Sequence, residues 1–233
     1  YLNVPRILEV CREAGVDAVH PGYGFLAENA PFARALGDAG IVWIGPPPDA
    51  IDAMGAKTRA RALMDAAGVP IVPGITEPVA DVGAARPIAD SIGYPVAVKA
   101  SAGGGGKGFR VALTPADLDD AFAGAVREGE RFFADGAVYL ERYLPEPRHV
   151  EIQILADTHG SCIWLGERDC SVQRRHQKLV EETPSPVVSD DLRRRMGEAS
   201  VRAARAVDYA GAGTLEYLVA GEEFFFLEMN TRI

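Results

Sequence analysis

Val96-Ala-Val-Lys99-Ala-Ser-Ala-Gly103-Gly-Gly-Gly106-Lys107-Gly108-Phe109-Arg-Val111 decides the fold of this chain. An apolar run ends at Lys99, glycines bracket Lys107, and a second apolar run starts at Phe109. Four consecutive glycines are entropically costly unless the backbone must come close to something. Unobstructed N–H groups flanked by two lysines suit a polyphosphate. A P-loop requires Ser or Thr after its lysine, and Gly108 stands there. Gly103, Gly105 and Gly108 fit Gly-x-Gly-x-x-Gly, but the dinucleotide fingerprint runs into a helix. Here Phe109 to Leu113 is a β-type run stopped by Thr114-Pro115. What remains is a strand, glycine loop, strand hairpin whose tip can fold over nucleotide phosphates. A surface turn with no ligand is the alternative.

Outward from the hairpin, the 233 residues are enough for one large domain or two small ones. The net charge of −9 argues against nucleic acid as a partner. No apolar run reaches the roughly 20 residues of a membrane helix. Cys11, Cys162 and Cys170 form no Cys-x-x-Cys pair, which points to a reducing, cytoplasmic setting. The abrupt Tyr1 and Ile233 ends suggest a fragment.

Helices are expected over Pro5–Ala14 and Pro31–Ala39, alternating with strands at Ala18–His20 and Ile41–Ile44, the latter buried. That order reads as α/β with a parallel sheet. Gly45-Pro-Pro-Pro48 marks a domain boundary. Asp49 is expected to cap a short helix to Met54, with further helices at Thr58–Ala67 and Val82–Ile92. Thr114-Pro-Ala-Asp117 opens a helix to Phe133. Val138–Leu144 is a strand. In His149–Leu155, Val150, Ile152 and Ile154 share one face, and His149, Glu151 and Gln153 the other. Cys162–Leu165 returns beside it, and a Ser189-capped helix follows. Thr214–Val219 and Phe224–Glu228 form a hairpin.

A hairpin centred near Glu222 puts Glu216 and Glu228 opposite one another. Facing carboxylates need a cation, and Mg²⁺ accepts carboxylate and phosphate oxygens together. Asn230 adds an amide oxygen. A one-residue register slip would instead turn one glutamate to solvent. The run Gln173-Arg-Arg-His176-Gln-Lys178, with Arg232, can hold a small anion; the alternative is a solvated basic face. Lys57 and Lys99 are candidate phosphate ligands, though a lysine in apolar surroundings usually snorkels.

Five strings carry a family likeness: His20-Pro-Gly-Tyr-Gly-Phe-Leu26 with Glu28-Asn29, Lys99 to Gly108, Pro147-Arg-His-Val-Glu-Ile-Gln153, Glu167 to Lys178, and Glu228-Met-Asn-Thr-Arg-Ile233. In order and over essentially the whole chain, they resemble biotin carboxylase, the ATP-grasp component of biotin-dependent carboxylases. The resemblance implies α/β and α+β architecture. A partial Rossmann-like N-terminal domain (1–52) precedes an ATP-grasp domain (53–233), cut short at its C-terminus, with a mobile glycine-rich lid near 71–143.

The resemblance also implies residue roles. Lys57 and Lys99 are ATP-phosphate lysines, and Gly105 and Gly106 form the loop tip. Glu141, Arg142, Tyr143 and Leu144 form the adenine hinge, and His149 and His176 are further nucleotide contacts. Glu216, Glu228 and Asn230 hold Mg²⁺ or Mn²⁺. Lys178 and Arg232 are the catalytic, bicarbonate-binding cations. ATP and bicarbonate would then carboxylate biotin on a carrier domain, the first half-reaction of an acyl-CoA carboxylase. A carboxyltransferase component and a homodimer or larger complex are the implied partners, with no nucleic acid or membrane. Ala102 and Arg142 depart from the usual Gly and Lys. The family's general base would lie beyond Ile233, so the chain alone is expected to be inactive or nearly so. Two other readings are an ATP-grasp ligase for another carboxylate and a nucleotide-binding module without turnover.

Overall fold

The computed structural model describes residues 1–75, 77–101, 107–175 and 177–232. Gly105, Gly106 and His176 lie outside the described residues.

The first part is built from helix α1 (Val4–Ala14), strand β1 (Ala18–Val19), α2 (Ala30–Asp38) and β2 (Val42–Trp43). Asn3 and Asn29 cap the two helices by accepting the N–H of Arg6 and Phe32. β1 and β2 pair in parallel, as the alternation predicts. Cys11, Phe32, Leu36 and Ile41 make the local core. The expectation of a buried strand at 41–44 is corrected: Val42 is 61% exposed and only Ile41 is buried.

Helices α3 (Pro48–Gly55) and α4 (Lys57–Ala66) follow. Asp49 is not the cap of α3. It sits in the first turn, where an acid favours the helix dipole, and pairs with Arg34 at 2.7 Å.

The middle part is a three-stranded antiparallel lobe in the order β4-β3-β5: β3 (Val96–Ala100), β4 (Phe109–Ala112) and β5 (Val138–Arg142). Helices α5 (Val82–Ile92) and α6 (Leu118–Phe133) pack on it through Ala85, Ala89, Leu118, Phe122 and Ala125. The Asp117 carboxylate accepts from the Thr114 N–H and hydroxyl just before α6. β3 and β4 are the two legs of the glycine hairpin, with Lys99 opposite Phe109. Gly108 has φ +69°, and a Cβ there would lie 2.6 Å from that of Ala100. Gly74 lets the incoming chain run against β5, because a Cβ would meet the Leu140 carbonyl at 2.5 Å.

The last part is a five-stranded antiparallel sheet, β10-β9-β6-β7-β8. Its strands are β6 (Arg148–Ala156), β7 (Cys162–Arg174), β8 (Gln177–Glu182), β9 (Gly211–Ala220) and β10 (Glu223–Asn230). Helix α7 (Asp190–Arg205), capped by Ser189, lies on one face with α3 and α4. That face buries Val150, Ile152, Ile154, Leu215, Tyr217 and Phe226 against Met64, Leu192 and Met196. Filling one side with apolar residues turns His149, Glu151 and Gln153 to the other. β7 is far longer than the expected Cys162–Leu165. A bulge opposite β6 explains this: Ile154 pairs with Trp164, but Ile152 pairs with Glu167. The extra residue reverses the alternation, so the strand continues past the point where the apolar pattern stops.

Candidate active site

The polar face of the large sheet, the start of α4 and the lobe enclose a cleft of about 1180 Å³. Lys57, Lys99, Lys107, Gly108, Glu141, His149, Lys178, Glu216, Glu228, Asn230 and Arg232 all line it. Arg142, Tyr143 and Leu144 do not. The N–H groups of Arg142 and Tyr143 donate to Pro73 and Pro95 carbonyls, and Leu144 is buried with Val72 and Phe225. Of the four hinge candidates, Glu141 alone reaches the wall. Its carboxylate pairs with Lys99 and, at 3.1 Å, with Arg61.

Glu216 faces Glu228 across β9 and β10. The register behind this has an irregularity: Phe226 pairs with Tyr217, Leu227 is bulged out, and Glu228 then meets Glu216. The bulge keeps the aromatic pair in the core and both carboxylates in the cleft.

Glu216 is buried and tightly held. Lys178 Nζ donates to Oε1 at 2.7 Å, Asn230 Nδ2 to Oε1 at 2.7 Å, and His149 Nε2 to Oε2 at 2.6 Å. Gln173 Nε2 lies 2.7 Å from His149 Nδ1 and, as an amide N–H₂, fixes that nitrogen as the acceptor. Burial alone would raise the Glu216 carboxyl, but the hydrogen bonds from His149 and Lys178 outweigh it and hold it at about 2. Glu228 is shifted the other way, upward, by burial and by the charge on Glu216. Lys57 Nζ is 4.0 Å away, too far to neutralise it fully. An under-neutralised carboxylate directly opposite an ionised one fits a bound divalent cation, so these two residues suit magnesium. Asn230 Oδ1 accepts from Arg232 at 3.0 Å, which leaves its second lone pair for a cation.

Lys178 also donates to Glu151 at 2.5 Å. Burial would lower its pKa, yet Glu151 and Glu216 raise it above the ordinary lysine value. The amine therefore stays cationic at neutral pH. Glu151 in turn pairs with Arg168, which reaches the Gln153 amide oxygen at 3.1 Å. Arg232 Nε is 3.7 Å from Glu28, whose other oxygen accepts the Thr231 N–H at 2.9 Å.

The residue types did not single out Glu151, Arg168, Arg61 and Glu28. The alternation of β6 puts Glu151 on the polar face, and Glu28 lies in the likeness-bearing string from His20. Arg168 lies in the likeness-bearing string from Glu167, and for Arg61 there was no local signal.

A model of the carbamoyl-phosphate synthase L chain ATP-binding domain matches residues 56–233, and one of the biotin carboxylase N-terminal domain matches residues 1–51. A biotin carboxylase of Halalkalibacterium halodurans is 53% identical over the whole chain, which covers 52% of that protein. The crystal structure of a biotin carboxylase–beta-gamma-ATP complex from Campylobacter jejuni superposes with a TM-score of 0.90 at 45% identity, covering 100% of this chain and 52% of that one. The biotin carboxylase domain of a Hydrogenobacter thermophilus 2-oxoglutarate carboxylase, solved with MgADP, ADP and bicarbonate, gives a TM-score of 0.88 at 46% identity, again covering 100% and 52%. The chain spans about half the length of the relatives it matches. With its two parts matched in this order, the chain belongs to the biotin carboxylase family of ATP-grasp proteins.

Proposed function

We propose that the complete protein uses ATP and bicarbonate to carboxylate biotin borne on a carrier domain. The observation that carries this reading is the shared cleft. Phosphate-suited lysines (Lys57, Lys99), a facing carboxylate pair (Glu216, Glu228) and two further cations (Lys178, Arg232) line one space. Each matches one need of the reaction. Lys57 and Lys99 attract the polyphosphate, and Lys178 and Arg232 hold the bicarbonate anion beside it. A bicarbonate oxygen attacks the γ-phosphorus and ADP leaves, giving carboxyphosphate. The carboxyl carbon then passes to the ureido nitrogen of biotin as phosphate departs and the nitrogen gives up its proton. Magnesium, held by Glu216 and Glu228 when bound, supplies charge neutralisation at the phosphates. The enclosing walls keep water from carboxyphosphate.

The domain division at 52/53, with a lobe near 71–143, belongs to the same proposal. The meeting of the two family matches at 51 and 56 and the lobe's own hydrophobic cluster support it. A carrier domain, a carboxyltransferase, a homodimer or larger complex and a cytoplasmic setting complete the reading. Labelled bicarbonate tests it: the full-length protein with MgATP should transfer the label to biotin. Transfer to a different acceptor, or ATP cleavage with biotin never labelled, overturns it.

A further inference from the structure

Arg61 is the most deeply buried cation on the cleft wall among the described residues, 5% exposed, on the side of α4 that faces the lobe. It joins three segments. One guanidinium nitrogen donates to Glu141 Oε2 of β5 at 3.1 Å, and the other to the Val72 carbonyl of the incoming chain at 2.9 Å. The guanidinium carbon lies 5.9 Å from the centre of the Tyr139 ring. Its Nε is buried with no hydrogen-bond partner among the described residues. Burying a cation this way is costly, and an unmet donor adds to the cost, so the arrangement is poorly explained by stability alone.

Glu141 is the centre of the cluster. Its two oxygens are divided, Oε1 to Lys99 and Oε2 to Arg61. Two cations share one carboxylate, so the trio keeps a net positive charge beside the cleft. Were Arg61 neutral, Glu141 would turn its whole charge on Lys99. The pair would be neutral and would offer an anionic ligand no net charge.

We propose that Arg61 is a positioning residue for the nucleotide site: by sharing the Glu141 carboxylate with Lys99 it leaves the trio a net positive charge to offer the phosphates. The inference rests on the nucleotide-binding part of the proposed function. Carboxylation itself is not needed to test it.

Calorimetric binding of MgADP to the full-length protein reads the effect. Arg61→Met should weaken binding about tenfold, the scale of one charge lost beside a phosphate site. In a Glu141→Gln background the same change should cost less than about threefold, since no carboxylate is left to neutralise Lys99. Arg61→Lys, which retains the charge, should recover most of the affinity. Should Arg61→Met not fold, Arg61→Gln takes its place in the cycle. An equal loss in both backgrounds overturns the inference, as does unchanged affinity in Arg61→Met or no recovery in Arg61→Lys. If binding follows the expected pattern while biotin is never labelled, the carboxylation reading fails and the role of Arg61 stands.

Discussion

Glu228 is the less well neutralised of the two facing carboxylates. Its carboxyl is raised by burial and by the neighbouring charge of Glu216, so the ionised form is disfavoured in the folded chain. At neutral pH that is a loss of stability, kept small by water at a side chain 44% exposed, which Glu228→Gln removes. The variant should therefore melt at the same temperature or higher without metal, each kcal/mol recovered being worth about 2–4 °C at this size. It should also gain little from added Mg²⁺-nucleotide, whereas the parent gains by mass action. Thermal melts with and without MgADP measure both effects. Lower stability of the metal-free variant would show that the carboxylate is adequately neutralised already. The Glu216–Glu228 pairing was legible from spacing, but the bulge at Leu227 that makes it compatible with a filled core was not. Arg61 was hidden for a different reason: in a helix an arginine beside apolar residues reads as a snorkelling surface side chain.

At the scale of elements, β7 shows where pattern reading runs out. Past its bulge, Glu167 and Asp169 turn toward α7, each only 2% exposed. No apolar alternation announces them. They are held instead by charge: Arg193 grips Glu167 at 2.7 and 2.8 Å, and Ser185 and Arg148 bind Asp169 at 3.0 and 3.1 Å. Burial works to raise both carboxyls, and these bonds, with the Ser171 contacts to Asp169, bring them below the usual carboxylate range. The sign follows from that lowering. Their stabilisation is complete above about pH 5, where the unfolded groups are ionised too, and is lost as pH falls through the lowered folded values. Arg193→Met should cost about 3 kcal/mol at pH 7 by stranding a buried carboxylate. It should also flatten the acid side of the stability profile. Denaturant unfolding across pH 3–7 checks this, and a variant as acid-sensitive as the parent would remove Glu167 from the account. The helices were more legible: Ser189 was read as a cap and is one, and Asn3, Asn29 and Asp81 likewise each accept an N–H of the first turn.

Across the whole molecule, three bodies of different construction meet at one cleft. The parallel β1–β2 unit sends Glu28 to Thr231 and Arg232, the lobe brings Lys99 and Glu141, and the large sheet contributes His149, Lys178, Glu216 and Glu228. Local pattern could identify most of these side chains but not that they converge, since the contacts link residues up to 203 positions apart. The family likeness supplied that convergence in outline. It did not supply the engagement of Asn230 with Arg232, the displacement of residues 142–144 from the wall, or the sharing of Glu141. The central claim is that nucleotide and bicarbonate occupy this one cleft together. ADP formation by the full-length protein, followed with each reactant omitted in turn, tests it most directly. Turnover should require bicarbonate as well as a divalent cation and should rise on addition of biotin; ADP formation that continues unchanged without bicarbonate would contradict the claim.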